Sequence, residues 1–332
     1  MQYRQLGENG PKVSVIAFGA WQIGDENFWG PKEETDAECA VAMAIDRGIN
    51  LFDTAEIYGG GESERILARA LADRRKDIYI ASKVSPDHCA PDALRKSCEG
   101  SLKRLNTDCI DIYQVHWPFR HVPFEDAWGE LARLREEGKI RWIGVSNFGP
   151  MDIADWFDAG GEAVSDQIGY NLLFRAPEYE IIPACRRYNM GVLAYMPLMQ
   201  GLLADRWESV EDIPMPRRRT RHFSGHREGT RHGEEGHERL LQETLEDLRE
   251  VARLLDLPMA VMALAWLLRQ PGVTSVILGA RDPLQLEKNL LAAEIDIGPA
   301  AVAQLNEITY PLKRAMGRNA DMWQNEATSR IR

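Results

Sequence analysis

The sequence predicts an α/β fold of eight βα units closed into a (β/α)8 barrel, and three observations carry that prediction. Short runs rich in Val and Ile alternate with stretches of helical spacing, the runs and the stretches each number eight, and 332 residues is a size such barrels reach as one domain. Periodicity alone does not separate a closed barrel from an open sheet; count and length favour closure.

The strand candidates are 13–18, 49–52, 78–82, 110–115, 140–145, 164–168, 192–195 and 273–278. Helical spacing falls at 34–47, 62–72, 91–105, 124–137, 150–158, 178–188, 238–268 with a break at Pro258, and 283–293. Pro91, Pro123, Pro150 and Pro283 stand at or near helix starts, where a missing N–H costs little, and Gly48 and Gly138 follow helix ends. Ahead of the first unit, residues 3–6 and the Glu8-Asn9-Gly10 turn predict a β-hairpin capping the bottom of the barrel. Two regions escape the repeat within the single domain expected over 1–332. Residues 205–238 lack apolar periodicity, carry Arg217-Arg218-Arg219 and Arg221, and hold four of the seven histidines, which predicts a long loop after the seventh strand and a candidate lid. The polar tail 311–332, with Trp323, suits packing over its own barrel and a contact in a homo-oligomer equally well.

Composition narrows the function. Hydrophobic residues make up 44% and charged residues 27%, which excludes a disordered chain. Lys and Arg total 40 against 51 Asp and Glu, so the net charge of −11 disfavours nucleic acid and anionic membrane surfaces as partners. The longest apolar run, 257–268, falls short of the roughly 20 residues of a membrane span. The first residues lack the basic-then-apolar pattern of a signal peptide, so a cytoplasmic protein is expected. Five cysteines without a CxxC pair read as reduced structural thiols, and the loop histidines lack the fixed geometry a metal needs, so no metal is expected.

Barrel chemistry sits at the C-terminal ends of the strands. Strand two closes on Asp53, strand three on Lys83, strand four on His116, strand five on Ser146-Asn147, strand six near Gln167 and strand seven at Tyr195. Taken singly, Asp53 reads as a helix N-cap, Lys83 as a surface lysine and His116 as a core histidine. Together, at three consecutive strand ends with Tyr58 on the intervening loop, they converge on one reacting group. A carboxylate holds an ammonium charged, the ammonium is expected to lower the phenol's pKa, and Tyr58 becomes a proton donor to a carbonyl oxygen that a neutral His116 also orients. No GxSxG nucleophile is present, so the attacking group must come from outside, and hydride from a nicotinamide is the natural one.

At these residues the chain resembles the aldo-keto reductases. The stretch Asn50-Leu-Phe-Asp53-Thr-Ala-Glu-Ile-Tyr58-Gly is similar to the family signature, Lys83 and His116 fall at its spacing, and the likeness runs from Leu6-Gly7 to Asn289. The resemblance implies a TIM barrel without a Rossmann domain, NADP(H) bound across the strand ends, and a catalytic tetrad of Asp53, Tyr58, Lys83 and His116. It further implies cofactor contacts from Gly19-Ala20-Trp21, carboxamide contacts from Ser146, Asn147 and Gln167, and a nicotinamide stacked on Tyr195. Pro197, Leu198, Gln200, Gly201 and Leu202 match the segment along the pyrophosphate, although Met196 stands where Ser or Gly is usual. Gly279, Arg281, Gln285 and Asn289 match the adenosine site, where a pair between Arg281 and a 2′-phosphate favours NADP(H) over NAD(H).

Trp21, Phe28, Trp29, Trp117, Pro118 and Phe119 cluster after the first and fourth strands and suit an apolar or sugar-binding pocket, with Trp21, Tyr58, His116 and Trp117 as the substrate contacts; core packing is the competing reading. The expected activity is reduction of aldehydes or ketones, small sugar-derived carbonyls among them. Two alternatives share the residues: a slowly turning over NADP(H)-binding subunit resembling the β-subunits of potassium channels, and an NAD(P)-dependent sugar or polyol dehydrogenase running the same chemistry backward.

Overall fold

The structure, a computed structural model, describes residues 1–30, 34–280 and 282–332. Strands β1 (Tyr3–Gln5) and β2 (Lys12–Ser14) form an antiparallel hairpin. Eight parallel strands follow: β3 (Ile16–Gly19), β4 (Leu51–Asp53), β5 (Tyr79–Val84), β6 (Ile110–Val115), β7 (Ile140–Ser146), β8 (Ser165–Gly169), β9 (Gly191–Tyr195) and β10 (Val273–Gly279). They close into a barrel in which β10 pairs with β3, as the strand count predicts.

Helices α1 (Trp21–Gly24) and α2 (Glu26–Trp29) are single turns after β3, and α3 (Glu34–Asp46), α4 (Glu62–Leu71), α5 (Pro91–Leu105), α6 (Phe124–Glu136), α7 (Pro150–Asp158) and α8 (Ile181–Arg187) surround the strands. The long predicted helix divides at Pro258 into α9 (Glu238–Leu254) and α10 (Met259–Leu268), bent by 92°, because proline cannot continue the helical hydrogen bonding. Helices α11 (Pro283–Leu290) and α12 (Gly298–Met316) complete the order. No single helix among the described residues is long and apolar enough to cross a membrane.

Two features differ from the sequence reading. The run 13–18 is two strands, because Ser14 Oγ donates to the Ile16 carbonyl at 2.7 Å and Asn50 Oδ1 accepts from Ser14 N at 2.7 Å, which turns the chain between hairpin and barrel. Helix α12 was not anticipated, and it runs through Pro311, so the irregular tail begins at Gly317. Arg175 fastens the turn before that proline, donating to the Asn306 carbonyl at 2.9 Å and the Thr309 hydroxyl at 2.8 Å.

The alternation of strand residues sets what fills the barrel. Ala17, Leu51, Ala81, Ile112, Leu193 and Ile277 meet inside it, with Leu6 and Val13 of the hairpin region as the lower plug. The residue two further along each strand therefore points inward one layer higher. On β4, β5 and β6 these are Asp53, Lys83 and Gln114, and on β3 and β10 they are Gly19 and Gly279.

Candidate active site

The upper layer of the barrel is polar, and its members satisfy one another. Lys83, fully buried, donates from Nζ to Asp53 Oδ2 at 2.8 Å and to the Thr54 carbonyl at 2.8 Å, and lies 3.2 Å from the Tyr58 hydroxyl. Gln167 Nε2 donates to Asp53 Oδ1 at 2.7 Å, and Gln114 Nε2 reaches the same oxygen at 3.4 Å. A buried ion pair survives only when the remaining hydrogen-bonding capacity is met, and these amides meet it.

Tyr58 comes from a tight turn outside the strands. Gly59 takes φ +58°, and a Cβ there would stand 1.8 Å from the Gly24 carbonyl oxygen, so only glycine lets this turn press against α1. Ser63, bonded to the Thr54 hydroxyl at 2.8 Å and donating to the Ala20 carbonyl at 2.7 Å, ties the base of the turn to β3 and β4. The His116 ring meets Tyr58 edge-on, with centroids 5.7 Å apart.

Electrostatics correct one expectation. Burial, reinforced by the Asp53 carboxylate, holds the Tyr58 hydroxyl well above the usual phenol range; the nearby ammonium does not reverse this. Burial also lowers Lys83, against the opposing pull of Asp53. His116 is pushed well below the usual imidazole value by burial and then by the Lys83 and Arg330 charges, so it is neutral at neutral pH. Its Nδ1 is buried and without a partner. The site thus offers a protonated phenol and a neutral imidazole above a buried ion pair.

These groups open onto a cavity of about 970 Å3 across the strand ends. Its floor includes Gly19 and Gly279, where a Cβ would stand 2.9 Å from the Ile277 side chain and 2.6 Å from that of Gln22. Gln22 Oε1 is buried there without a partner. After β9, Met196, Met199, Gln200 and Gly201 all have positive φ, and Arg217 donates to the Gln200 carbonyl at 2.8 Å. Strained backbone of this kind clusters where a chain is shaped around a ligand.

The loop 205–238 forms one wall. Arg206, Arg217, Arg219 and Arg231 line the cavity, and the Arg217 guanidinium lies between the rings of Trp29 and Trp207, 5.3 and 5.4 Å from their centroids. His222 is buried and bonded to Leu173 and Thr220, His232 and His237 lie near enough to act on its charge, and among the described residues no group of side chains is arranged to hold a metal ion. The wall that continues from Trp29 is aromatic. Trp21 stacks on Phe28 and meets Trp29 edge-on, while Trp117 meets Trp323 of the tail at 5.9 Å.

Of the residues singled out in the sequence, Gly19, Trp21, Asp53, Tyr58, His116, Trp117, Ser146, Asn147, Gln167, Tyr195, Pro197, Leu198, Gln200, Gly201, Gly279 and Gln285 all border the cavity, with Lys83 directly beneath Tyr58. Ala20, Leu202 and Asn289 are buried outside its wall; Ala20 N donates instead to the Asp53 carbonyl at 2.8 Å. Arg281 lies outside the described residues. Phe119 packs on Phe124 at 5.0 Å and Pro118 is buried, so these two belong to the core. The amides expected at a carboxamide have protein partners here: Gln167 binds Asp53, and Asn147 donates to the His116 carbonyl at 3.1 Å and accepts from the Tyr195 hydroxyl at 2.7 Å. Sequence reasoning missed Gln114, which the alternation from Ile112 marks, and Arg330, which no local pattern marks.

Comparison with known proteins agrees with this geometry. Residues 15–309 match the model of the aldo/keto reductase family. The aldo-keto reductase YhdN of Bacillus subtilis is 32% identical over 302 residues, covering 86% of this chain and 87% of the relative. The methylglyoxal reductase YeaE of Escherichia coli is 28% identical, covering 94% and 96%. Among solved structures, the thermostable reductase Tm1743 in complex with the inhibitor epalrestat superposes with TM-score 0.74 at 30% identity, covering 93% of this chain and all of the other. A Klebsiella pneumoniae aldo-keto reductase in complex with NADPH follows at TM-score 0.73 and 26% identity, covering 93% and 95%.

Proposed function

Because the chain belongs to the aldo/keto reductase family, we propose that it reduces aldehydes or ketones, sugar-derived carbonyls included, to alcohols with NADPH, using Tyr58 as the general acid. One observation carries the reading: a buried ammonium, Lys83 Nζ, lies within 3.2 Å of the Tyr58 hydroxyl and 2.8 Å of Asp53, at the floor of a large cavity.

The chemistry follows from these groups. A carbonyl oxygen seated against Tyr58 accepts the phenolic proton, and Lys83 stabilises the phenolate that remains. The high pKa of Tyr58 keeps that proton in place before reaction. Neutral His116 donates a second hydrogen bond to the same oxygen and fixes its direction. Asp53, held by Lys83 and Gln167, keeps the ammonium charged in spite of its burial.

The cavity suits NADP(H). Gly19 and Gly279 border the cavity where a Cβ would collide with Ile277 and Gln22, and the unpartnered Gln22 Oε1 is an acceptor for a polar ligand. Arg206, Arg217, Arg219 and Arg231 offer charge to phosphates, and Tyr195 offers a ring face to a nicotinamide. Pro197, Leu198, Gln200 and Gly201 would run along the pyrophosphate, Gln285 would meet the adenosine, and Arg281 would pair with the 2′-phosphate. When bound, NADPH supplies the hydride.

The test is Tyr58→Phe assayed with NADPH and a panel of aldehydes, ketones and keto-sugars, alongside nucleotide binding by fluorescence. Loss of turnover by about a hundredfold or more with nucleotide affinity retained is the expected result. Full activity in the variant would remove the proposed acid.

A further inference from the structure

The tail 317–332 reaches the site with its own chemistry. Met322 is fully buried against Gly169, where a Cβ would meet its Cε at 2.5 Å, and this anchor sets Trp323 in the cavity wall. Seven residues on, Arg330 also borders the cavity. Its guanidinium lies 3.5 Å from the centroid of Trp117, closer than any other cation and ring described here.

How Arg330 is held shows which of its edges is used. Nε donates to Asp321 Oδ2 at 2.7 Å and Nη2 to Asp321 Oδ1 at 2.8 Å, a bidentate pair with a carboxylate that is fully buried. Asp321 also accepts from the backbone N–H groups of Trp323 and Arg330, so it cannot turn away. Trp117 covers one face of the guanidinium. What is left is the end-on edge, Nη1 with the second N–H of Nη2, for which the described residues provide no acceptor. Such an edge matches a carboxylate in two parallel hydrogen bonds.

The surroundings favour an anion over a neutral group. His116, on the same cavity, feels the Arg330 charge and carries none of its own. Asp25, an acid of the aromatic wall, is occupied by Trp21 Nε1 at 3.0 Å and by the start of α2. Trp21, Trp117 and Trp323 line the same cavity and suit a flat or short-chain body between carbonyl and anion.

Resting on the reductase reading above, we propose that Asp321, Trp117 and Arg330 build an anion subsite, and that this chain prefers carbonyl substrates bearing a carboxylate. The carboxylate accepts from the free edge of Arg330 while the carbonyl oxygen meets Tyr58 and His116.

The experiment compares the formylbenzoates with their methyl esters, which differ in charge and little in shape. Two forms are assayed: the wild type, and Arg330→Gln combined with Asp321→Asn, which removes both charges and keeps an amide pair to hold the tail. The wild type is expected to favour at least one formylbenzoate over its ester in kcat/KM, and the double variant to lose about tenfold of that preference, chiefly through KM. Absence of preference in the wild type, or an equal fall for acid and ester in the variant, would overturn the proposal and leave Arg330 as a latch for the tail. Calorimetric titration with isophthalate and with isophthalamide separates this result from failure of the reductase reading. If no carbonyl compound is turned over, isophthalate binding that disappears in the double variant still supports the subsite, and absence of isophthalate binding overturns it.

Discussion

Gln167 Nε2 donates to Asp53 Oδ1 at 2.7 Å, on the carboxylate oxygen opposite the one that accepts from Lys83. The amide and the ammonium therefore share one acid between them. In Gln167→Ala, Oδ1 keeps only the long contact from Gln114 at 3.4 Å, which leaves a buried charged acceptor short by roughly 1–3 kcal/mol. A fall in kcat of about tenfold at saturating nucleotide is expected, read by steady-state kinetics. An effect confined to the KM of the nucleotide would assign the amide to the nucleotide instead.

The position of Tyr58 on the pH scale gives a second prediction. Its hydroxyl is held above the ordinary phenol value, so the proton required for reduction is present across the neutral and mildly alkaline range. The pH profile of kcat/KM for reduction should show no falling limb from this residue below about pH 10. A limb centred near neutrality that vanishes in Tyr58→Phe would contradict the environment described here.

The loop 205–238 carries a pH dependence of stability. Burial lowers His222 from its ordinary value of 6.5 to about 4 while its ring bonds Leu173 and Thr220. Between those values the unfolded chain binds a proton that the folded loop does not. The contribution is thus complete above pH 6.5, falls by about 1.4 kcal/mol per pH unit as pH drops toward 4, and levels off below. Hydrogen exchange of loop amides should accelerate over that window, and His222→Gln should flatten the response.

A fourth prediction concerns the hold on the tail. The Arg332 carbonyl accepts from Met151 N at 2.9 Å and Asp152 N at 3.3 Å, at the start of α7, and Arg332 N donates to Asp152 Oδ2 at 2.9 Å. A Cβ on Gly149 would stand 2.0 Å from that carbonyl, although φ of −82° suits alanine well. Gly149→Ala should therefore displace the tail without altering the Tyr58 site. Faster proteolysis within 317–332, with a rise in carbonyl KM of about fivefold, is the outcome to look for.

The barrel was legible because its units repeat a two-residue and a 3.6-residue period at natural lengths, and the inward Asp53 and Lys83 continue the alternation begun by Leu51 and Ala81. The boundary inside 13–18 was not, since Ser14 breaks the strand through a bond to its own neighbour rather than through a turn residue. Helix α12 went unread in the sequence because the tail was placed from Pro311 onward, whereas the helix runs from Gly298 through that proline to Met316. Arg330 lay beyond local reasoning: its partner Asp321 is near in sequence, but Trp117 and the cavity belong to a different unit of the barrel.

The uppermost interior layer of the barrel has a further consequence. Asp53, Lys83, Gln114 and Gln167 form the ceiling of the packed interior, each strand-borne and each bonded to another of the four, and Asp53 and Gln167 also border the cavity. The ion pair that supports Tyr58 is thereby fixed to the scaffold, whereas the walls that meet a substrate are loop and tail. Selection can rewrite those outer margins residue by residue, and the reaction beneath them stays the same.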